Sequence, residues 1–250
     1  MSTVKINGLN IHYEKYGTKG KPVVLLHGWG QNTEMMAFIG EHLKNRFVVY
    51  NIDFPGFGQS DEQKEVWGAD DYTEFLHDFC TNKKIKNPII IAHSFGCRVA
   101  VRYAYKYGAY KMCLTGAAGL IGKRPVEYYI KVYSYKFAKK VLALLKLDDL
   151  KKKLEKNAGS QDYKNTSGVM RDTFIKVVNE DTKDILPEVE CETLLVFGEK
   201  DEATPLALGK KMEELMPNAA LVVFENDDHF AYINEAQRFN LVLDAFLNGD

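Results

Sequence analysis

Two short runs, Pro22-Val23-Val24-Leu25-Leu26 and Pro88-Ile89-Ile90-Ile91-Ala92, carry no polar side chain at any position. A strand with one wet face alternates polar and apolar residues. A strand that is apolar throughout belongs in the middle of a parallel sheet covered by helices on both faces. Helical patterns follow both runs, over Thr33 to Leu43 and over Phe95 to Tyr107. Further strand signals lie at Phe47 to Asp53, Tyr110 to Leu114, Thr193 to Phe197 and Leu221 to Glu225, with helices over Asp70 to Phe79 and Glu235 to Phe246. This alternation predicts an α/β fold, a mostly parallel central sheet flanked by helices. Upstream, Val4 to Tyr16 alternates around Asn7-Gly8, the strongest short signal for a hairpin turn. At 250 residues the chain has the size of one large domain, or one domain with an insertion.

One stretch interrupts the alternation. About 75 residues separate the strand signals near Thr115 and Thr193. Within them, after Pro125, the residues Val126, Ile130, Tyr133, Phe137, Val141 and Leu144 recur at helical spacing. Asp148-Asp149 then offers caps for a short helix through Leu154. The reading is a helical cap over residues 120–185 inserted into a core formed by 1–119 and 186–250. From 120 to 158 there are eleven Lys plus Arg against four Asp plus Glu. These lysines read as the solvated outer face of a lid whose inner face, Tyr129, Tyr133, Phe137 and Val141, packs over a pocket. The alternative is that they attract anionic substrates or a membrane surface; on the lid reading no membrane contact is expected.

The formal net charge of -1 gives no global reason to expect nucleic acid as a partner. No run approaches the roughly 18 apolar residues of a membrane span, and the first 17 residues lack the continuous apolar segment of a secretory signal. Cys80, Cys97, Cys113 and Cys191 are scattered without a CxxC pair, which fits free thiols in a reducing compartment. A cytoplasmic location is expected.

The segment with most chemical content is Ile89 to Ala100. A buried strand runs straight into a helix with Ser94 at the turn, and Ala92 and Gly96 stand two residues to either side. Such a turn exposes the serine hydroxyl, and the flanking residues must be small where strand and helix backbones pass close by. The helix N-terminus supplies backbone N–H groups, notably that of Phe95, to a developing oxyanion. The competing interpretation is a serine N-cap on an ordinary helix. A serine nucleophile needs a base, normally a histidine held by a carboxylate. Of six histidines, His12, His42 and His77 have no motif around them, and His93 alternates to the opposite face from the serine. His27 ends a central strand, which leaves His229, between the last strand and the last helix, as the best-placed base. For the carboxylate, Asp201 lies just beyond a strand, with Glu199 and Glu202 as rivals in the same loop.

With those residues in view, the chain resembles the α/β-hydrolase superfamily along essentially its whole length. Ser94, Asp201 and His229 occur in that family's order of nucleophile, acid and base. His27-Gly28-Trp29-Gly30 is similar to its oxyanion loop, which implies the Trp29 N–H as a second donor beside Phe95. Asp53 to Ser60 and Gly198 to Pro205 resemble two further family loops, and 120–185 occupies the family's cap position. Two positions depart from the pattern. Ala92 stands where glycine is usual, and Asp228 stands where a small residue commonly precedes the histidine. A second carboxylate beside the base favours its charged form where the two lie close, and Asp228 pointing to solvent is the neutral alternative.

Two glycine-rich segments imitate nucleotide sites. Gly28-Trp29-Gly30 is followed by Asp53 at about the distance of a ribose-binding acid, but Thr33 replaces the third glycine. Thr115 to Gly122 lacks such an acid altogether. No phosphate-loop motif and no histidine pair at metal-ligand spacing is present, so neither a cofactor nor a metal is expected. The expected activity is that of a serine hydrolase on a small to medium, largely apolar carboxylic ester or related acyl compound. The same triad resembles that of family members cleaving carbon–carbon bonds, peptides after N-terminal proline, or cyanohydrins. A binding protein that retains the fold is the rival from another class.

Overall fold

The computed structural model describes residues 2–122, 126–145, 147, 149–150, 154 and 161–248. Eight strands form one sheet: β1 (Ser2–Ile6), β2 (Leu9–Tyr16), β3 (Pro22–Leu26), β4 (Val48–Ile52), β5 (Ile89–His93), β6 (Lys111–Thr115), β7 (Glu192–Gly198) and β8 (Ala219–Phe224). Their spatial order is β1-β2-β4-β3-β5-β6-β7-β8. The β1–β2 and β2–β4 pairings are antiparallel and all the others are parallel. The hairpin between β1 and β2 turns at Asn7 and Gly8, with φ of 49° and 86°, the two positive values that a type I′ turn requires.

The two apolar runs pair directly, Leu25 with Ile91 and Leu26 with Ala92, at the centre of the sheet. Alternate residues feed two separate cores. On one face Val24, Leu26, Ile90 and Leu114 pack with α2 (Ala69–Asn82), α3 (Phe95–Tyr107) and α7 (Leu206–Leu215). On the other, Val23, Leu25, Ile91 and Cys113 pack with α1 (Ala37–Leu43) and α9 (Ala236–Leu247). The 3-10 turn Thr33–Met36 leads into α1, and a four-residue helix, α8 (Ala231–Asn234), precedes α9. From β3 the chain crosses to β4 on one side, whereas β5 leads to β6 on the other. The strand order therefore reverses between β3 and β5, where open α/β sheets keep their binding crevice.

Between β6 and β7 lie three described helices: α4 (Val126–Leu144), α5 (Gln161–Asn165) and α6 (Gly168–Val178). Neither α6 nor α7 was foreseen from periodicity. Pro125, most of the short helix expected through Leu154, and the side chain of Tyr129 lie outside the described residues. Of the inner face expected on α4, Tyr133 and Phe137 do not pack inward. Tyr133 is 66 % exposed and Phe137 71 %. It is α6 that docks on the core, through buried Met170 and Val177 and through Phe174 against the Trp29 ring at 5.1 Å.

Candidate active site

Ser94 follows the last residue of β5 and precedes α3. Its φ of 49° and ψ of -110° lie in the left-handed half of backbone space, where a non-glycine residue is strained. The surroundings impose this conformation. The Ser94 N–H donates to the Thr115 carbonyl at 3.0 Å, and its own carbonyl accepts from the Cys97 N–H at 3.0 Å. Gly96 is small of necessity, because a Cβ there would come within 2.5 Å of the Leu26 carbonyl oxygen and 2.9 Å of that of His27. Fully buried Ala92 pairs with Leu26 and Leu114, and replaces the expected glycine without conflict. The Phe95 N–H opens α3, in the turn where backbone donors have no intrahelical partner.

The second donor candidate, Trp29, sits in a tight loop. The Gln31 N–H donates to the Gly28 carbonyl, the Gly28 N–H donates to the Gln31 side-chain oxygen at 3.0 Å, and Gly30 takes a φ of 70°. His27 braces this loop from below. Its Nδ1–H donates to the Gly28 carbonyl at 2.7 Å, and its Nε2 accepts from the Phe54 N–H at 3.0 Å. Burial drives its pKa down from 6.5 to about 4, so the ring is neutral and its tautomer is set.

His229 lies in the loop after β8, and Asp201 in the loop after β7. The His229 Nδ1–H donates to Asp201 Oδ2 at 2.8 Å. Asp201 is buried and accepts three more bonds, from the N–H groups of Ala203 and Thr204 and from the Thr204 hydroxyl. Burial alone would raise the Asp201 pKa, but the hydrogen bonds from His229 and Thr204 outweigh it and hold the group below the usual carboxylate range. With Nδ1–H committed to Asp201, the free lone pair of His229 is on Nε2. The rivals are elsewhere: Glu199 is exposed and accepts from the Asn226 N–H, and Glu202 is exposed.

Two contacts tie this pair to the serine turn. A Cβ on Gly116 would lie 2.9 Å from His229 Nδ1, so the residue after Thr115, which anchors Ser94, passes directly against the imidazole. The ring of His93, next to Ser94 in sequence, stands 4.7 Å from that of His229. At the end of β5, His93 is buried beside that imidazole. Its Nδ1 bonds to Thr115, and burial first, then His229, lowers its pKa well below the ordinary value.

A family model described as the alpha/beta hydrolase family matches residues 23–240. The chain belongs to the alpha/beta hydrolase family. An AB hydrolase superfamily protein of Bacillus subtilis is 26% identical over 255 residues, covering 92% of each chain. A pimeloyl-[acyl-carrier protein] methyl ester esterase of Aliivibrio fischeri is 23% identical, covering 92% of this chain and 95% of its own. Among solved structures, an esterase from Exiguobacterium antarcticum superposes with a TM-score of 0.75 at 23% identity, over 98% of this chain and 97% of that one.

Several features of this hydrolase escaped the sequence reading. Thr204 braces the carboxylate from three residues away and also contacts His229 Nδ1 at 3.2 Å. The Asp201-x-x-Thr204-Pro205 spacing was its only local signal. From α6, Phe174 reaches the Trp29 ring and Met170 reaches the turn at Gly56. Asp162 on α5 stands close enough to His229 for their charges to interact; burial raises its pKa and His229 opposes that rise. Asp228 hydrogen-bonds within its own loop. Its exposed carboxylate caps the Phe230 N–H at 2.8 Å and takes the Asn234 amide. Asp53, the ribose-binding decoy, is a buried bracket that accepts from the N–H groups of Thr33 and Gln59 and pairs with His12. His42 pairs with Asp244, and His77 stacks on Tyr107.

Proposed function

We propose that this protein is a serine hydrolase that cleaves a small to medium, largely apolar carboxylic ester or related acyl substrate through an acyl-enzyme. The observation that carries the reading is the strained Ser94 turn at the end of β5, in contact through Thr115, Gly116 and His93 with an imidazole whose Nδ1–H is held by Asp201.

Ser94 Oγ attacks the acyl carbon while His229 Nε2 takes its proton. The carbonyl electrons collect on an oxyanion within reach of the N–H groups of Phe95 and Trp29. The oxyanion collapses, the bond to the leaving group breaks, and His229 returns the proton to that group. Water then attacks the acyl-serine by the same route and releases the acid. Asp201 keeps the imidazole in the tautomer that has its lone pair on Nε2, and stabilises the imidazolium formed in each step. The rings of Trp29, Phe57, Phe95 and Phe174, with centroids about 5–6 Å apart, form an apolar wall beside the oxyanion loop. That wall supports an apolar acyl group over a charged one. No step requires a metal or a cofactor. In this reading 120–185 is a cap whose substrate-side surface comes from α6.

The test is labelling by a small fluorophosphonate together with turnover of a p-nitrophenyl acyl ester series. Wild type is labelled once, at Ser94, and turns over repeatedly. Ser94→Ala remains folded, loses the label and loses on the order of a millionfold in kcat. Labelling at another residue, or a Ser94→Ala variant keeping a tenth of the activity, refutes the assignment. A single slow turnover by wild type would instead mark a binding protein.

A further inference from the structure

Among the described residues, thirteen large apolar side chains are exposed, and seven of them lie between 130 and 150. On α4 these are Ile130, Tyr133, Phe137 and Leu144, the last 83 % exposed. At 100° per residue the four fall on one face, within an arc of about 60°. Exposed Lys140 falls about 20° beyond one edge of that arc. Leu145, Leu147 and Leu150 extend the apolar exposure past the end of the helix.

An apolar helix face turned to solvent costs free energy unless something covers it. The charge around this one selects the cover. Residues 120–158 carry seven more basic than acidic residues, whereas the rest of the chain carries eight more acidic than basic ones. A second copy related by a two-fold axis would bring two such basic segments together. An anionic lipid surface matches both properties: lysines reach headgroup phosphates while the aromatic and aliphatic groups enter the interface. No helix among the described residues is long and apolar enough to cross a membrane, so contact would be in the plane of the surface. The acidic remainder of the chain is repelled by the same surface, which fixes which side faces it.

We infer that the exposed apolar face of α4, with Leu145, Leu147 and Leu150 after it, docks on an anionic lipid bilayer. The inference is independent of the chemistry assigned to Ser94, but it has a geometric consequence. The segment leaves the sheet at the C-terminal end of β6, whose Thr115 holds the Ser94 amide, so docking brings that edge of the sheet toward the bilayer.

Co-sedimentation of the full chain with vesicles of phosphatidylcholine alone, and of equal phosphatidylcholine and phosphatidylglycerol, tests it. Binding to the phosphatidylglycerol vesicles should be at least about tenfold tighter, and should weaken severalfold between about 50 and 500 mM salt. The triple change Tyr133→Ser, Phe137→Ser and Leu144→Ser, all at exposed positions, should reduce that binding about tenfold or more while the melting temperature and fluorophosphonate labelling stay as in wild type. Lys140→Glu should weaken it severalfold. No binding by wild type, equal binding to both vesicles, or undiminished binding by the triple variant overturns the proposal. So does a concentration-dependent dimer in sedimentation velocity that the triple variant abolishes, since the cover would then be a second copy.

Discussion

Lowering the pH should destabilise this protein through His27. The ring is fully buried, and its Nε2 can accept from the Phe54 N–H only while unprotonated. Burial depresses the folded-state pKa from 6.5 to about 4. The unfolded chain therefore takes up the proton first. The contribution is fully present above the unfolded value, and is lost as pH falls from about 6.5 toward 4. Linkage between those two values costs about 2 kcal/mol at pH 5 and about 3 kcal/mol at pH 4. That is a large share of the roughly 5–15 kcal/mol that holds a domain together. Urea unfolding, followed by tryptophan fluorescence at pH 7.5 and pH 5.0, measures it in wild type and in His27→Gln. The glutamine variant keeps an acceptor for Phe54 but cannot take a proton in this pH range. It should be less stable than wild type at pH 7.5, yet lose about 2 kcal/mol less on going to pH 5.0. Buried His93 titrates in both proteins, and His27 is the smallest of the influences that lower its pKa, so its share of the difference is small. If the two stabilities decline in parallel, His27 is not the group that couples folding to pH.

Asp201→Asn should lower kcat on the order of ten-thousandfold with binding near normal, because the imidazole tautomer is no longer held, whereas Glu199→Gln should be silent in the same assay. The reverse pattern would reassign the acid. Asp228→Gly should leave the acidic limb of the rate profile in place, since that carboxylate is occupied at the Phe230 N–H; a clear shift of the limb would show that Asp228 acts on the base after all. Gly96→Ala should cost roughly 1–3 kcal/mol in urea unfolding, because the added Cβ meets the backbone of Leu26 and His27 rather than a side chain that can move. A cost below about 0.5 kcal/mol would mean that strand and helix separate there easily.

What the residues declare locally survived into the structure. The apolar runs at 22–26 and 88–92 became adjacent central strands, Asn7-Gly8 became a hairpin turn, and Ser94 took its strained turn with Ala92 and Gly96 on either side. Each depends on a few consecutive residues: their alternation, their bulk, or their tolerance of positive φ. Other features depended on chain segments brought together by folding. Nothing in the 199–202 loop by itself separates Asp201 from two glutamates; arrival of His229 from 28 residues away, with Thr204 bracing from beneath, does so. Alternation along β5 carried no information about the imidazole that His93 meets there. The stripe on α4 was legible as a stripe, yet its direction was not. Periodicity defines a face, while burial depends on which partner the fold supplies, and here α6 packs against Trp29 while Tyr133 and Phe137 of α4 stay exposed.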